Sequence, residues 1–280
     1  MSEEHPTDRR ARHEIVRTRG GALAMRSLAD GEVMHPGVGP LVEAEQLYVR
    51  QSRLRERLIA KDCAKDDRLV LFDVGLGAGS NALAARSASE GLPDAAARLE
   101  LVSFERDLGA LELALAAGEA FDWRGEAADA ARALLAHGDH QTARTHWRLV
   151  RGDILESLPR HTVAADIIYW DPFSPRANPD LWTVAAFLEA RRVASPRCTL
   201  YTYSASTATR LALLLADWAV GTGDAIGDKR QTTAAAVAVN DLARPLDRGW
   251  LARLSRPEVP LPPDAPSDAI ARARLAPQFG

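Results

Sequence analysis

The stretch "RLVLFDVGLGAGSNALAARSA", residues 68–88, decides the fold. It opens with an apolar run, Leu69 to Val74, broken only by Asp73. Three alternating glycines follow, Gly75, Gly77 and Gly79, and then an Ala-rich run. Strand, glycine turn and helix is the reading, because glycine lets a backbone turn tightly and approach a ligand closely. The helix that follows offers free N–H groups to an anionic end.

The same alternation continues downstream. Apolar strands are expected at 98–105, 146–153, 165–171 and 198–204, and helices at 107–118, 125–137, 181–194 and 205–218. Strands alternating with helical patterns indicate a mostly parallel sheet with helices on both faces. Near the end, "TTAAAVAV" reads as a strand, and the Gly-rich stretch before it as its hairpin partner. Upstream, residues 39–60 carry Leu47, Leu54 and Leu58 at helical spacing and read as one helix. Residues 14–36 hold turn signals at Gly20-Gly21 and Asp30-Gly31 and read as a small β-meander.

Four segments result. Residues 1–13 are charged and expected to be disordered. Residues 14–60 form the meander and helix, 61–240 the Rossmann-like domain, and 241–280 a Pro-rich tail, extended and loosely packed.

Composition narrows the class. A chain of 280 residues with net charge −3 has no global pull toward nucleic acid, although a local basic patch is compatible with it. Cys63 and Cys198 lack metal-ligand spacing and read as incidental thiols in a reducing compartment. The polar start has no signal-peptide core, and no apolar run is long enough to cross a bilayer. A cytoplasmic protein with no membrane partner is the expectation.

Acids stand at the ends of the later strands. Glu105 ends the second, where a carboxylate can accept hydrogen bonds from both hydroxyls of a ribose. Asp153 follows the third and suits an adenine amino group, with Ile154 packing on the ring. Asp171 follows the fourth. Ligands of open α/β sheets bind at this edge. The glycine spacing is G-x-G-x-G with Ser80 where a dinucleotide fingerprint needs glycine, which disfavours a nicotinamide oxidoreductase. Each feature alone has a plain explanation: a tight turn, a solvated loop acid, a helix cap. In this order they resemble the class I S-adenosylmethionine-dependent methyltransferases.

A more specific stretch is "DPFSPRANPDLWT", residues 171–183. Its Asp171, Phe173, Pro175, Asn178, Pro179, Asp180 and Trp182 resemble the signature of the MnmC-like methyltransferases, which form 5-methylaminomethyl-2-thiouridine in tRNA. "GEVMHPGVGPLVEAEQLYVRQSRL", "GLGAGSNAL" and "GDKRQTTAAAV" are also similar to that family, so the resemblance runs from about Ile15 to Val239. Pro172 stands where bifunctional members commonly have glycine.

The resemblance implies a class I Rossmann-like fold, a mostly parallel seven-stranded sheet closed by an antiparallel hairpin. It implies S-adenosylmethionine as cofactor, held by Asp73, Gly75, Gly77, Gly79, Asn81, Glu105, Asp153, Ile154 and Asp171, with no metal and no flavin. Asp171 would be the catalytic residue. Phe173, Arg176, Lys229 and Arg230 would meet the anticodon region of tRNA, Phe173 by stacking on the uracil. Trp182 reads as core. The chain is too short for the oxidase domain of the bifunctional members, so a separate oxidase or upstream tRNA-modifying enzyme is an expected partner. A fixed carboxylate at Asp171 could stabilise charge on a methylated amine or accept its proton. Two alternatives stay open at this stage: a methyltransferase for another amine-bearing substrate, and a nucleoside-binding module without catalysis.

Overall fold

The computed structural model describes residues 12–18, 20–34, 39–63, 67–225, 230–256 and 258–280. A hairpin of β1 (His13–Arg17) and β2 (Leu23–Ser27) comes first. Among the described residues the expected meander consists of these two strands, with an isolated bridge from Arg26 to Val33 beyond them. Of the segment expected to be disordered, residues 1–11 lie outside the described residues, and His13 already belongs to β1.

The expected single helix over 39–60 is divided. α1 (Pro40–Glu43) runs into a π-helical stretch, Ala44–Arg50, and α2 (Leu54–Ala60) starts afresh. Between them Arg53 adopts a left-handed φ of 54°, which no continuous helix accommodates. The break lets Leu47 and Tyr48 on one side and Leu54 and Leu58 on the other all reach the core.

The main body comprises β3 (Arg68–Val74), α3 (Ser80–Glu90), β4 (Arg98–Glu105), α4 (Gly109–Ala117), α5 (Gly125–His137), β5 (Asp139–Gln141), β6 (Thr145–Arg151), α6 (Ile154–Ser157), β7 (Ala165–Trp170), α7 (Val184–Arg192), β8 (Ala194–Thr202), α8 (Thr207–Leu215), β9 (Ala219–Gly223) and β10 (Thr232–Ala236). They form one sheet in the order β5-β6-β4-β3-β7-β8-β10-β9. β6, β4, β3, β7 and β8 are parallel, and β10 and β9 close the sheet antiparallel. Among the described residues the sheet therefore has eight strands, one more than the seven expected. The additional one is β5, three residues pairing antiparallel with β6 at the edge. Its sequence, "DHQ", is polar because an edge strand this short buries little, so it carries no apolar signal.

Alternation along the strands splits the core in two. Leu69 and Leu71 of β3 face one layer with Leu101, Trp147 and the helices α3 to α5. Val70, Phe72 and Val74 face the other, with Phe104, Trp170 and the helices α7 and α8.

The Pro-rich segment is a correction. Leu246, Trp250, Leu254 and Phe279 are buried in the second layer, together with Ala269 and Ala273 of α9 (Ala269–Arg274). Asp264 accepts the backbone N–H groups of Val184 and Ala185 at 2.8 and 2.9 Å, capping α7. The Gln278 side chain bonds both backbone groups of Val220 and the carbonyl of Leu246. Proline suppresses regular hydrogen bonding but not burial, so the composition described the local conformation and not the packing. Among the described residues, no helix is long and apolar enough to cross a membrane.

Candidate active site

Parallel register brings the strand ends together. Val74 of β3 is level with Phe104 of β4 and Trp170 of β7, and Glu105 is level with Arg151 of β6. The residues that follow these ends therefore share one rim. A cavity of about 710 Å³ opens there, with Gly75, Gly77, Glu105, Asp153, Ile154, Asp171 and Phe173 in its wall. The N-terminal hairpin and the segment after it add His13, Ser27, Glu32 and Met34 to the lining.

At one end is the glycine turn. Gly75 has φ 86°, and a Cβ there would lie 2.8 Å from the Asp171 carbonyl oxygen and 3.0 Å from Pro172 Cα. Only glycine lets β3 and β7 leave the sheet this closely. The Gly77 N–H donates to Glu105 Oε2 at 3.0 Å, while Glu105 Oε1 accepts the N–H groups of Arg106 and Asp107 at 2.8 and 2.9 Å. Burial raises the Glu105 carboxyl above the usual range, and these three donors oppose the rise. Asp153 does two things at once: it lines the cavity, and its Oδ1 accepts Leu155 N–H at 2.9 Å, capping α6.

Next to the glycine turn, directly after β7, stands Asp171. Two side chains distant in the sequence hold its carboxylate. Tyr48 Oη donates to its Oδ1 at 2.6 Å, and Asn81 Nδ2 donates to its Oδ2 at 2.7 Å. Burial, and then the charge of Asp171, push the Tyr48 hydroxyl well above the usual phenol value, so it remains a donor. Tyr203 Oη donates to the Pro172 carbonyl at 3.1 Å. Trp182 is core, as expected, and its Nε1 donates to the Phe173 carbonyl at 2.8 Å, fixing the loop whose ring lines the cavity. Glu32 accepts the Ser174 N–H at 3.0 Å and the Ser174 hydroxyl, pinning the same loop to the hairpin.

Other candidates lie elsewhere. Asp73 is buried within the sheet, where its Oδ2 accepts the Ser103 hydroxyl at 2.8 Å, and it does not line the cavity. Gly79 has φ 84° and faces Trp123, whose ring a Cβ would meet at 2.6 Å, so it serves packing. Asn81 is directed at Asp171. Arg176 is tied to the hairpin, donating to the Asp30 carbonyl at 3.3 Å with Glu32 at 3.8 Å. Arg230 is exposed, and Lys229 lies outside the described residues.

Sequence reasoning missed Tyr48, Glu32, Glu43 and Tyr203, of which Glu32, Glu43 and Tyr203 line the cavity while Tyr48 bonds Asp171. Glu43 and Tyr48 sit where the pattern reads as plain amphipathic helix. The π-helical turn that presents Tyr48 to Asp171 leaves no mark in the sequence, although such turns recur at functional sites.

A family model described as S-adenosyl-L-methionine-dependent methyltransferase matches residues 128–238. Two relatives are tRNA 5-methylaminomethyl-2-thiouridine biosynthesis bifunctional proteins MnmC. That of Methylibium petroleiphilum is 31% identical over 231 residues, covering 79% of this chain and 34% of the relative. That of Pseudomonas aeruginosa is 32% identical over 214 residues, covering 73% and 32%. The chain thus spans about a third of the length of the curated relatives it matches. The crystal structure of MNMC2 from Aquifex aeolicus superposes with a TM-score of 0.70 at 23% identity, covering 94% of this chain and 84% of that one, which shows a shared fold.

Proposed function

Since this chain belongs to the MnmC-like family of S-adenosyl-L-methionine-dependent methyltransferases, we propose that it methylates the aminomethyl nitrogen of a modified wobble uridine in tRNA. One observation carries this reading. A single cavity joins a nucleoside-type end, Glu105 with Asp153 and Ile154, to an acidic end where Asp171 is fixed beside Phe173.

The residues fit the cofactor. Gly75 and Gly77 form a turn that a Cβ would obstruct, and Glu105 presents a carboxylate suited to ribose hydroxyls. Asp153 and Ile154 would receive the adenine. When bound, S-adenosyl-L-methionine supplies a methyl group on a sulfonium; the amine nitrogen bonds to it as the carbon–sulfur bond breaks, the bonding pair stays on sulfur, and positive charge moves to nitrogen.

The chain's own part is placement and electrostatics. Charge developing on the nitrogen is stabilised by a carboxylate already in position, with no reorganisation at the moment of transfer. Phe173 offers a ring against which an unstacked base can lie. The names of the relatives support tRNA as the substrate. Arg230 and Lys229 remain candidates for phosphate contact, whereas Arg176 is engaged by the hairpin. An upstream enzyme must install the aminomethyl group, in the cytoplasm where tRNA is matured. Calorimetry tests the cofactor: S-adenosyl-L-methionine should bind more tightly than NAD, and the reverse order would overturn the reading.

A further inference from the structure

Asp171 is held by two donors from two different helical elements. Tyr48 comes from the π-helical stretch after α1, and Asn81 from the first turn of α3. The bonds are short, 2.6 and 2.7 Å, and each goes to a different carboxylate oxygen. Neither donor is free to move. Tyr48 is fully buried, its ring 4.9 Å from that of Tyr169, whose hydroxyl pairs with Ser52 Oγ at 3.1 Å. Asn81 is 3% exposed. Among the described residues, charged or titratable groups near Asp171 include Glu43 from α1, Tyr203 after β8 and Glu32 after β2, all in the cavity wall.

Hydrogen bonds donated to a carboxylate favour its charged form and lessen its basicity. A general base gains from the opposite treatment, since its basicity has to approach the working pH. An electrostatic anchor gains from being ionised and immobile. Resting on the tRNA reading above, we propose that Tyr48 and Asn81 are positioning residues that lock Asp171 as a fixed anion facing the acceptor amine. Asp171 then orients the amine and stabilises the charge that transfer leaves on nitrogen, and it does not take the amine's proton. That proton leaves to solvent.

The two roles for Asp171 predict opposite effects of one conservative change. Tyr48→Phe removes a hydroxyl and keeps the ring packed on Tyr169. If Asp171 is a fixed anion, turnover falls about tenfold or more, affinity for S-adenosyl-L-methionine stays within about twofold, and the acid limb of the turnover profile moves to higher pH. If Asp171 is the base, the variant's carboxylate is the stronger base, and turnover that is unchanged or raised overturns the proposal. Asn81→Ala repeats the test from the other side should the first variant fold poorly. The locking can also be read without RNA. The Asp171 carboxyl carbon resonance, assigned by its loss in Asp171→Asn, should titrate at higher pH in Tyr48→Phe than in wild type, and an identical titration overturns the proposal. Failure of the wild type to methylate tRNA, with that resonance still displaced, would instead count against the substrate reading alone.

Discussion

Gly75→Ala tests the architecture of the site at its tightest point. The added Cβ would meet the Asp171 carbonyl oxygen at 2.8 Å, about 0.6 Å inside the 3.4 Å at which ordinary contact begins. The obstacle is backbone, so no side chain can swing away. The residue also has φ 86°, which costs a non-glycine residue roughly 1–2 kcal/mol. Overpacking adds about 1–3 kcal/mol, giving a loss of roughly 2–5 kcal/mol in folding stability. If the strain is relieved by moving the β7 end, Asp171 is displaced, and misplacement by about 1 Å can cost on the order of 100-fold in rate. Gly138→Ala is the control. It has a similar φ of 80° but nothing within 4 Å, so it should lose only about 1–2 kcal/mol and no activity. Urea denaturation and methyl-transfer rates on both variants decide the matter. Equal stability losses, with full turnover in Gly75→Ala, would refute the claim that this glycine is where β3 and β7 meet.

Glu105→Ala should weaken S-adenosyl-L-methionine binding by about 1–3 kcal/mol through lost charge-assisted hydrogen bonds, read by calorimetry. Its raised carboxyl also sets a pH dependence. The ionised form costs the fold stability as pH climbs from the ordinary carboxylate range through the raised value, and that cost vanishes below the ordinary range. Cofactor hydroxyls favour the ionised form, so affinity should strengthen with rising pH across the same window, and Glu105→Gln should remove that slope. Trp250→Ala should cost about 3–5 kcal/mol in urea denaturation, since Trp250 is 7% exposed in the second core layer; a loose tail would give almost no change. Removing both cationic candidates, Lys229 and Arg230, should flatten the salt dependence of tRNA binding, and an unchanged slope would place phosphate contact elsewhere.

The fold was largely legible because its strands carry their own signal. β3 and β7 are buried on both faces and show as apolar runs, each carrying one acid (Asp73, Asp166) and ending at a glycine or at Asp171-Pro172. Where burial is slight the signal disappears, as at β5. The C-terminal segment misleads for another reason: its anchors, Trp250 and Phe279, are isolated among prolines and charges, so no periodicity announces them. The shared rim of Glu105 and Asp153 was legible because strand order alone sets it. The surroundings of Asp171 were not. Tyr48 reaches Asp171 across 123 positions of sequence, and Asn81 across 90. Such contacts depend on how the π-helical stretch and α3 pack over the sheet, which no local pattern specifies. Asp73, which the resemblance puts among the cofactor residues, accepts the Ser103 hydroxyl inside the sheet, a contact across 30 positions that no local pattern specifies.

The proposed methyl transfer to the aminomethyl nitrogen of a wobble uridine can be measured directly. The direct measurement uses the purified protein, S-adenosyl-L-methionine with an isotopically labelled methyl, and tRNA that carries the aminomethyl group. Nucleosides from the digested tRNA are then analysed by mass spectrometry. Label is expected in the 5-methylaminomethyl uridine of the wobble position, lost in Asp171→Ala and absent from tRNA without the aminomethyl group. Label in another nucleoside, or none while the cofactor still binds, would contradict the proposal.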